Sequence, residues 1–413
     1  MNLRRAQITQ TLAILLFVIF LLGRGELIAR TTQAEQLDLE PLVTNEAILP
    51  SVPLLGPAES SASVAAGAVE PAKPAESSTA VKPAAETAAP AETPSVHRPV
   101  RLPGRVVLGY YAEWGSDRSS YDSFRKNVNN LSWVAPFWYS VDRDGQLRSQ
   151  GGDQDKVMDL ARASGKKVIV LFNNLDGNDT VLRDPAARQR AVENIVEVVL
   201  AKGYDGVNID FENLEPASRK GLTQLMADLS ARLWPAGRLV TVAVAPKLSA
   251  NEDSNNFAAA YDYAALGRHT DYVVIMSYDQ HARWSEAGPV ADFRWVQQTI
   301  RYAITQIPAE QILLGIAGYG YDWSTEGVKI IKANQAEELA NWYGAKIQWD
   351  KDSRVPYFAY TQNGVRHEVW YEDYRSVEAK LELVSSHGLG GVALWRLGQE
   401  EDKLWPRVAE RLN

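Results

Sequence analysis

A short acidic segment limits the folds that this chain can adopt. The segment, DGVNIDFE at 205–212, lies between two longer helical patterns at 185–202 and 215–233. A strand between two helices usually belongs to a parallel sheet, which is covered on both faces and apolar throughout. With the period of two of a strand, the polar side chains share one face: Asn208, Asp210 and Glu212. Two interpretations follow: an edge strand with a solvated face, or a strand whose polar side chains point into the mouth of a barrel.

Strand-like runs and helical patterns alternate along the chain from residue 105 onward. The β-rich runs are 105–111, 131–139, 167–172, 205–212, 239–245, 272–278, 312–317 and 391–395. Eight such runs predict an α/β fold, a (β/α)8 or TIM barrel, of which about 250 residues is the usual size. An open doubly wound sheet is the alternative, and the lack of a Gly-rich phosphate loop after the first run argues against it.

The ends of the predicted strands carry polar and aromatic side chains. Glu212 ends the fourth run, Tyr278 and Asp279 end the sixth, and Trp395 ends the eighth. Functional residues of barrel enzymes lie at the carboxyl ends of the strands. We therefore expect these side chains to meet at one face of the barrel, which favours the barrel-mouth interpretation of the acidic segment.

The connection between the seventh and eighth runs, at 321–374, is too long for a single helix. It contains a helical pattern at 334–342 and two β-like runs within 357–370, separated by Asn363-Gly364. Asn-Gly between such runs is a strong hairpin signal. We predict a small α+β insertion whose aromatic residues either form its core or line one wall of a cleft.

The first hundred residues differ from the rest of the chain. Residues 1–30 carry Arg4 and Arg5 near their start, and an apolar run follows at 11–23. This is the pattern of a signal peptide or a signal anchor. A buried core helix is the alternative. Residues 31–100 are rich in Ala, Pro and Glu, and we expect a disordered, extended linker. We expect an extracytoplasmic protein, attached to a membrane if the first segment is not cleaved, with a globular domain at 101–413.

Charge and composition exclude several functions. The net charge of the 413 residues is −8, which argues against nucleic acid as a partner because phosphate binding needs a basic surface. The chain has no cysteine, so disulfides and thiolate metal sites are excluded. Its histidines form no HxH or HExxH pattern: His97, His269, His281, His367 and His387. We expect neither a metal nor another cofactor.

The carboxylates of the acidic segment form a coupled pair. Asp210 and Glu212 are two residues apart on one strand face, and like charges so close raise the pKa of one of them. A carboxylic acid that stays protonated near neutral pH can act as a general acid. Glu212, nearest the mouth, is best placed for that role, and Asn208 is placed to orient Asp210 without adding a charge.

DGVNIDFE resembles the DGxDxDxE signature of family 18 glycoside hydrolases, which include chitinases and bacterial N-acetylglucosaminidases. Gly109-Tyr110-Tyr111, Met276-Ser277-Tyr278-Asp279 and the strand that ends at Trp395 are similar to three further motifs of that family. The resemblance covers about 105–410. Asn208 stands where many chitinases have an aspartate, and the third run ends in Phe172-Asn173-Asn174 instead of Ser-x-Gly-Gly. In having asparagine at this position of the motif, the chain resembles the branch of the family that contains spore-cortex and cell-wall lytic enzymes.

The resemblance implies retaining hydrolysis assisted by the substrate, in which no protein nucleophile acts. It implies that Glu212 protonates the leaving oxygen, Asp210 orients the 2-acetamido group and Tyr278 donates a hydrogen bond to the acetamido oxygen. It also implies a set of residues that bind the sugar: Asn208, Tyr110, Met276, Asp279 and Trp395. The expected partner is a polysaccharide that contains N-acetylglucosamine, and we expect a monomer.

The substrate and the type of protein are left open by these motifs. The polymer is peptidoglycan or chitin, and the cleavage is exo or endo. The chain could also be a catalytically silent, lectin-like member of the family, although Glu212 is present. A metal-dependent hydrolase on the same barrel is a further alternative, against which the histidines supply no HxH or HExxH set. A structural protein that tethers the cell wall would leave the acidic segment unexplained.

Overall fold

A computed structural model describes residues 104–412, except 115–116, 151–153, 175–176 and 251–257. The predicted signal segment at 1–30 and the predicted linker at 31–100 lie outside the described residues. Within the described part of the chain, none of the helices has the length and apolar character needed to cross a membrane.

Eight parallel strands close into a barrel. They are β1 (Val106–Tyr111), β2 (Trp133–Val141), β4 (Lys167–Asn174), β5 (Gly206–Asp210), β6 (Leu239–Val244), β7 (Tyr272–Ile275), β8 (Ile312–Ala317) and β14 (Gly391–Trp395), with the short β3 (Leu147–Ser149) added antiparallel to β2. The sheet closes because β1 pairs with β14 on one side and with β2 on the other. The predicted (β/α)8 barrel is confirmed.

Helices cover the outside of the barrel. In chain order the helices of the described residues are α1 (Ser119–Asn127), α2 (Gln154–Ala163), α3 (Thr180–Arg183), α4 (Pro185–Lys202), α5 (Arg219–Leu233), α6 (Tyr263–Arg268), α7 (Phe293–Ala303), α8 (Ala333–Trp342), α9 (Tyr374–Ser386) and α10 (Leu404–Leu412). Helix α4 shows why the boundaries fall where they do. The Asp184 side chain accepts a bond from the Ala186 N–H at its start, and Gly203 ends it at φ 70°, a left-handed conformation that glycine adopts without strain.

The inside of the barrel is filled by alternate side chains of the strands. Bulky residues occupy it, among them Leu108, Trp133, Ile169, Tyr272 and Leu313. Tyr272 and Trp133 pack edge to face with ring centroids 5.1 Å apart. Because this packing fills the inside of the barrel, we expect a ligand to bind at the end where the strands finish, as in other barrels of this class.

The connection after β8 forms the predicted α+β insertion. An antiparallel sheet has the order β10-β9-β13-β12-β11, built from β9 (Tyr319–Ser324), β10 (Gly327–Lys332), β11 (Gln348–Asp350), β12 (Val355–Gln362) and β13 (Val365–Tyr371). Its first strand begins at Tyr319, where the sequence predicted 321. Asn363 and Gly364 form the two-residue turn between β12 and β13 with φ of 51° and 82°, as a type I′ hairpin requires.

The two faces of the inserted sheet have different neighbours. On one face Phe358 and Val369 pack with Ala336 of α8. On the other face Tyr319, Tyr321 and Trp323 pack against the loop that follows β7. The Trp323 indole N–H is shared between the carbonyl oxygens of Ala282 and Ser285, both at 3.2 Å. One side of the insertion is therefore its own core, and the other side is attached to the mouth of the barrel.

Candidate active site

The acidic strand β5 carries two of its polar side chains into the barrel. Asn208 is fully buried and Asp210 is 6% exposed, whereas Glu212 is only partly buried. The sequence predicted that the strand runs to Glu212, and this is wrong: β5 ends at Asp210 because its pairing with β4 stops where Asn173 meets Asp210. Glu212 lies on the loop beyond the strand, at the rim of the mouth.

Asn208 belongs to a chain of hydrogen bonds below the acids. The Tyr110 hydroxyl donates to Asn208 Oδ1 at 3.1 Å, and Asn208 Nδ2 donates to the Thr241 hydroxyl at 2.8 Å. Thr241 in turn donates to the carbonyl oxygen of Val207 at 2.8 Å. The direct support of Asp210 that the sequence predicted is not among the hydrogen bonds of the described residues. Asn208 instead fixes the Tyr110 hydroxyl, and burial raises the pKa of that phenol so that it stays protonated.

Asp210 and Glu212 are acids in an environment that disfavours charge. Burial raises the pKa of Asp210, and one of its carboxyl oxygens is enclosed without a hydrogen-bond partner in the protein. Burial also raises the pKa of Glu212, and the negative charges of Asp210 and Asp279 raise it further. An enclosed acceptor without a donor is costly, so native proteins keep very few. The raised pKa values favour a proton on the carboxyl pair of Asp210 and Glu212. The enclosed Asp210 oxygen is left as a hydrogen-bond acceptor for a donor from a ligand.

The residues that follow β7 form a second side of the mouth. Asp279 adopts φ 56°, and its Oδ1 accepts bonds from the hydroxyls of Tyr319 at 2.7 Å and Tyr321 at 2.9 Å. Burial raises the pKa of Asp279 to about 6, although these two bonds oppose the rise. The contact joins the loop after β7 to the insertion through two buried tyrosines, and the lining of a cleft by aromatic residues of the insertion stays a prediction.

Tyr278 lies on this loop, close enough to the acids for their charges to act on its phenol. Strand β7 ends at Ile275, so Met276, Tyr278 and Asp279 lie on the loop and not on the strand as the sequence predicted. Burial raises the pKa of the Tyr278 phenol, and the charges of Asp210, Glu212 and Asp279 raise it as well, so the hydroxyl keeps its proton and can donate. A Cβ on Gly315 would lie 2.4 Å from the Ile275 carbonyl oxygen and 3.0 Å from the Tyr278 ring, so only glycine leaves space for both.

Trp395 ends β14 and forms an aromatic surface across the mouth. It is partly exposed and packs edge to face against Tyr110, with ring centroids 5.4 Å apart. Phe137 lies 6.4 Å from it by the same measure, and Met276 packs into the same group of side chains. The ring therefore has one side supported by the barrel interior and part of its surface free for a ligand.

Comparison with known proteins identifies the family. The sequence pattern of the glycosyl hydrolases family 18 matches residues 106–400, well over half of the 413 residues. This chain belongs to glycosyl hydrolase family 18. The family that its motifs predicted is confirmed, and this protein is a glycoside hydrolase.

Relatives and solved structures agree with this assignment. The chain is 30% identical over 295 residues to the cortical fragment-lytic enzyme of Bacillus cereus, and the match covers 68% of each protein. The crystal structure of the Bacillus cereus spore cortex-lytic enzyme SleL is similar with a TM-score of 0.69 and 26% identity, over 75% of each chain. A chitinase from Chromobacterium violaceum has the same TM-score at 29% identity, over 74% of this chain and 98% of that one. This chain spans about two thirds of the length of the sporulation and cortex-lytic relatives that it matches.

Two residues that hold the backbone around Glu212 were missed by the sequence predictions. Tyr261 donates from its hydroxyl to the carbonyl oxygen of Phe211 at 2.8 Å, and the Asn174 amide bonds both polar groups of the Glu212 backbone. The sequence carried a signal only for Asn174, as the departure Asn173-Asn174 at the end of the third strand. Tyr261 precedes the short helix α6, where no periodic pattern identified it.

The histidines contribute no metal site to the part of the chain that is described. Within the described stretches of 104–412, no group of three or more His, Asp or Glu side chains is arranged to hold an ion. His281, near the mouth, has its Nδ1 3.2 Å from the carbonyl oxygen of Glu286. His367 lies within the insertion, bonded to Asp322 at 2.9 Å.

Proposed function

We propose that this enzyme hydrolyses β-1,4 bonds to N-acetylglucosamine with retention of configuration, assisted by the acetamido group of the substrate. The observation that carries the proposal is the enclosed, unpartnered oxygen of Asp210 beside an acid whose pKa is raised by burial. An acetamido N–H is a donor of the right kind for that oxygen. Tyr278 supplies the complementary donor, because its phenol stays protonated.

The bond is broken in two steps. In the first, Glu212 gives its proton to the leaving glycosidic oxygen while the carbonyl oxygen of the substrate's own acetamido group attacks the anomeric carbon. Asp210 accepts the acetamido N–H and balances the charge of the oxazolinium ring, and Tyr278 donates to the acetamido oxygen. In the second step the Glu212 carboxylate takes a proton from a water molecule whose oxygen attacks the anomeric carbon. The bond between that carbon and the acetamido oxygen breaks, which restores the acetamido group and the protonated acid.

The remaining residues hold the sugar in place. Trp395 gives the ring an apolar floor, with Tyr110 and Met276 beside it. Asp279 fixes the orientation of Tyr319 and Tyr321 at the wall formed by the insertion. Because the side chains pack against the barrel interior, they are held before the substrate arrives, and such preorganisation lowers the cost of reaching the transition state.

The polymer that we propose is peptidoglycan of the cell wall or spore cortex, outside the cytoplasm. Support comes from the relatives named as cortical fragment-lytic enzymes and from the likeness to the spore cortex-lytic enzyme SleL. The basic and apolar start of the sequence is consistent with export. Chitin is the second candidate, because the chitinase of Chromobacterium violaceum is similar at comparable identity. A monomer and membrane attachment through residues 1–30 stay predictions.

The substrate is tested by product analysis. The purified protein is incubated separately with peptidoglycan and with chitin, and the released fragments are identified by mass spectrometry after reduction. We expect fragments with N-acetylglucosamine at the reducing end from peptidoglycan, and little release from chitin. Release from chitin alone would replace the proposed polymer, and no release from either would favour a silent, carbohydrate-binding member of the family.

The role of the acetamido group has a separate test. A thiazoline analogue of the oxazolinium ring is expected to inhibit the enzyme, because its ring nitrogen, once protonated in the site, presents the same N–H to Asp210. Its inhibition constant is expected to rise about tenfold or more in Asp210→Asn, since a hydrogen bond to a charged group contributes about 1.5–3 kcal/mol. Equal inhibition of both proteins would contradict the proposed contact.

A further inference from the structure

The backbone of Glu212 is held by a side chain where the strand ladder has ended. The last residue pair between β4 and β5 is Asn173 with Asp210. Beyond it the Glu212 N–H donates to Asn174 Oδ1 at 2.7 Å, and Asn174 Nδ2 donates to the Glu212 carbonyl oxygen at 2.8 Å. The Asn174 amide thus makes the pair of bonds that a neighbouring peptide would make in a strand.

The residue that makes these bonds is itself firmly placed. Asn174 is 5% exposed and ends β4, where it pairs with Val141 of β2. Both polar atoms of its amide are used on one residue's backbone, so its orientation is determined. Since Asn174 belongs to strand β4 of the barrel, its two bonds fix the Glu212 backbone relative to that strand.

The chain on both sides of Glu212 needs such support. The preceding carbonyl oxygen, that of Phe211, accepts a bond from the Tyr261 hydroxyl at 2.8 Å. The following residue, Asn213, adopts φ 55°, which few residues other than glycine adopt and which costs free energy. A loop with this conformation keeps one position only when contacts around it hold it there, and the Asn174 amide supplies two of them.

We infer that Asn174 is a positioning residue that sets the place of the Glu212 carboxyl through the Glu212 backbone. The inference rests on the proposed role of Glu212 as the acid. Proton transfer in the transition state requires the acid within hydrogen-bond reach of the leaving oxygen, and a displacement of about 1 Å is enough to lower a rate about 10²-fold. Both polar atoms of the Asn174 amide are bonded to the Glu212 backbone, so its effect reaches the substrate through Glu212.

An amide is suited to this position, whereas its isostere aspartate is not. Aspartate keeps an acceptor for the Glu212 N–H but has no donor for the carbonyl oxygen, and it adds a negative charge beside two acids. That charge would raise the pKa of Glu212, because like charges disfavour ionisation. Alanine removes both bonds and admits water, which lessens the effect of burial and lowers the pKa of Glu212.

The test compares three variants of the full chain: Asn174→Ala, Asn174→Asp and Asn194→Ala as the matched control. Asn194 also bonds a backbone carbonyl with its amide, that of Gly145 at 2.9 Å, but on the outer helix α4. We expect kcat to fall about 10- to 100-fold in Asn174→Ala, with KM within about twofold, because misplacement acts on the transition state. The control is expected to keep kcat.

The pH profile separates positioning from a loss of folding. The alkaline limb of kcat/KM, at which Glu212 loses its proton, is expected to move to lower pH in Asn174→Ala and to higher pH in Asn174→Asp. A structural role alone would lower the melting temperature of both variants and leave the limb in place. Unchanged kcat in Asn174→Ala, or limbs that move in the same direction, would overturn the inference.

A direct titration keeps this inference distinct from the proposed function. The ionisation of Glu212 is followed by NMR in protein labelled with ¹³C at the glutamate carboxyls, with Glu212→Gln to assign the signal. If the wild-type protein cleaves no glycan, the proposed function fails, yet the opposite shifts of the Glu212 signal in the two Asn174 variants would still support the inference. Equal titration in all proteins would refute it.

Discussion

Two buried acidic sites of this barrel differ in how their charge is satisfied. Glu372, between β13 and α9, is 2% exposed, and its carboxylate accepts bonds from Lys380 Nζ at 2.9 and 2.7 Å and from the Ser376 hydroxyl at 2.6 Å. Asp210 is 6% exposed, and one of its oxygens has no partner in the protein. Burial is nearly equal, but only the first site is complete without a ligand.

The difference indicates what each site is for. Lys380 is as buried as Glu372, so the ion pair closes a junction between the insertion and the barrel helices. At the mouth, burial acts on two neighbouring carboxyls with no cation between them among the described residues, and it raises the pKa of both. A buried carboxyl that lacks a cation and a full set of hydrogen bonds at a strand end is typical of a functional site. A buried carboxylate that is paired with a cation is typical of a structural role.

The largest effect is expected from Glu212→Gln. The amide keeps the size of the side chain but cannot give a proton to the leaving oxygen, so turnover of N-acetylglucosamine oligomers is expected to fall about 10²- to 10⁴-fold. Thermal unfolding is expected to stay the same. The control is Glu215→Gln, three residues further on, whose carboxylate is 63% exposed and pairs with Arg183. Turnover of Glu212→Gln near the wild-type value would show that Glu212 is not the acid. The functional contrast between the acids at the mouth and the Glu372–Lys380 pair would then be contradicted.

The paired site is tested by Lys380→Met. The change leaves the Glu372 carboxylate buried without its cation, and removal of one partner of a buried pair destabilises a protein by about 3–5 kcal/mol. Chemical denaturation measures the free energy of unfolding, and kcat of the folded fraction is expected to stay the same. The double variant with Glu372→Gln is expected to recover part of the loss. Unchanged stability in Lys380→Met would show that the pair contributes no net stability.

A smaller effect of opposite sign is expected from Asp210→Asn. The substitution removes a buried charge that has no cation, so the folded protein is expected to gain about 1 kcal/mol, or about 2–4 °C in melting temperature. Asp352→Asn, at a carboxylate that is 75% exposed, is the control without effect. A lower melting temperature in Asp210→Asn would mean that the carboxylate is satisfied in the folded protein.

The gain from Asp210→Asn depends on pH. The pKa of Asp210 is raised in the folded protein above its unfolded value of about 4, so the folded state binds more protons between those two values. The contribution of Asp210 to stability is therefore fully present below about pH 4 and is lost as pH rises through the folded pKa. The advantage of Asp210→Asn should be larger at pH 8 than at pH 4.5, as measured by unfolding at both values.

The sequence alone determined the order of the strands and helices. Helix α4 begins at Pro185 and ends at Lys202, as predicted, because its cap residues and its apolar period lie within the helix itself. The face that Asn208 and Asp210 share was also predictable, since alternation is a property of any strand. The Asn363-Gly364 turn was predictable for the same reason, because positive φ at both positions depends on those two residues.

Only the tertiary structure decided where the site lies and what completes it. Glu212 is on a loop because β5 ends where β4 stops pairing with it, and Asn174 then takes the place of the strand. The contact of Asp279 with Tyr319 joins residues 40 positions apart. Strand ends, and hydrogen bonds between distant segments, depend on the neighbours that closure of the barrel brings together, and no local pattern of residues contains that information.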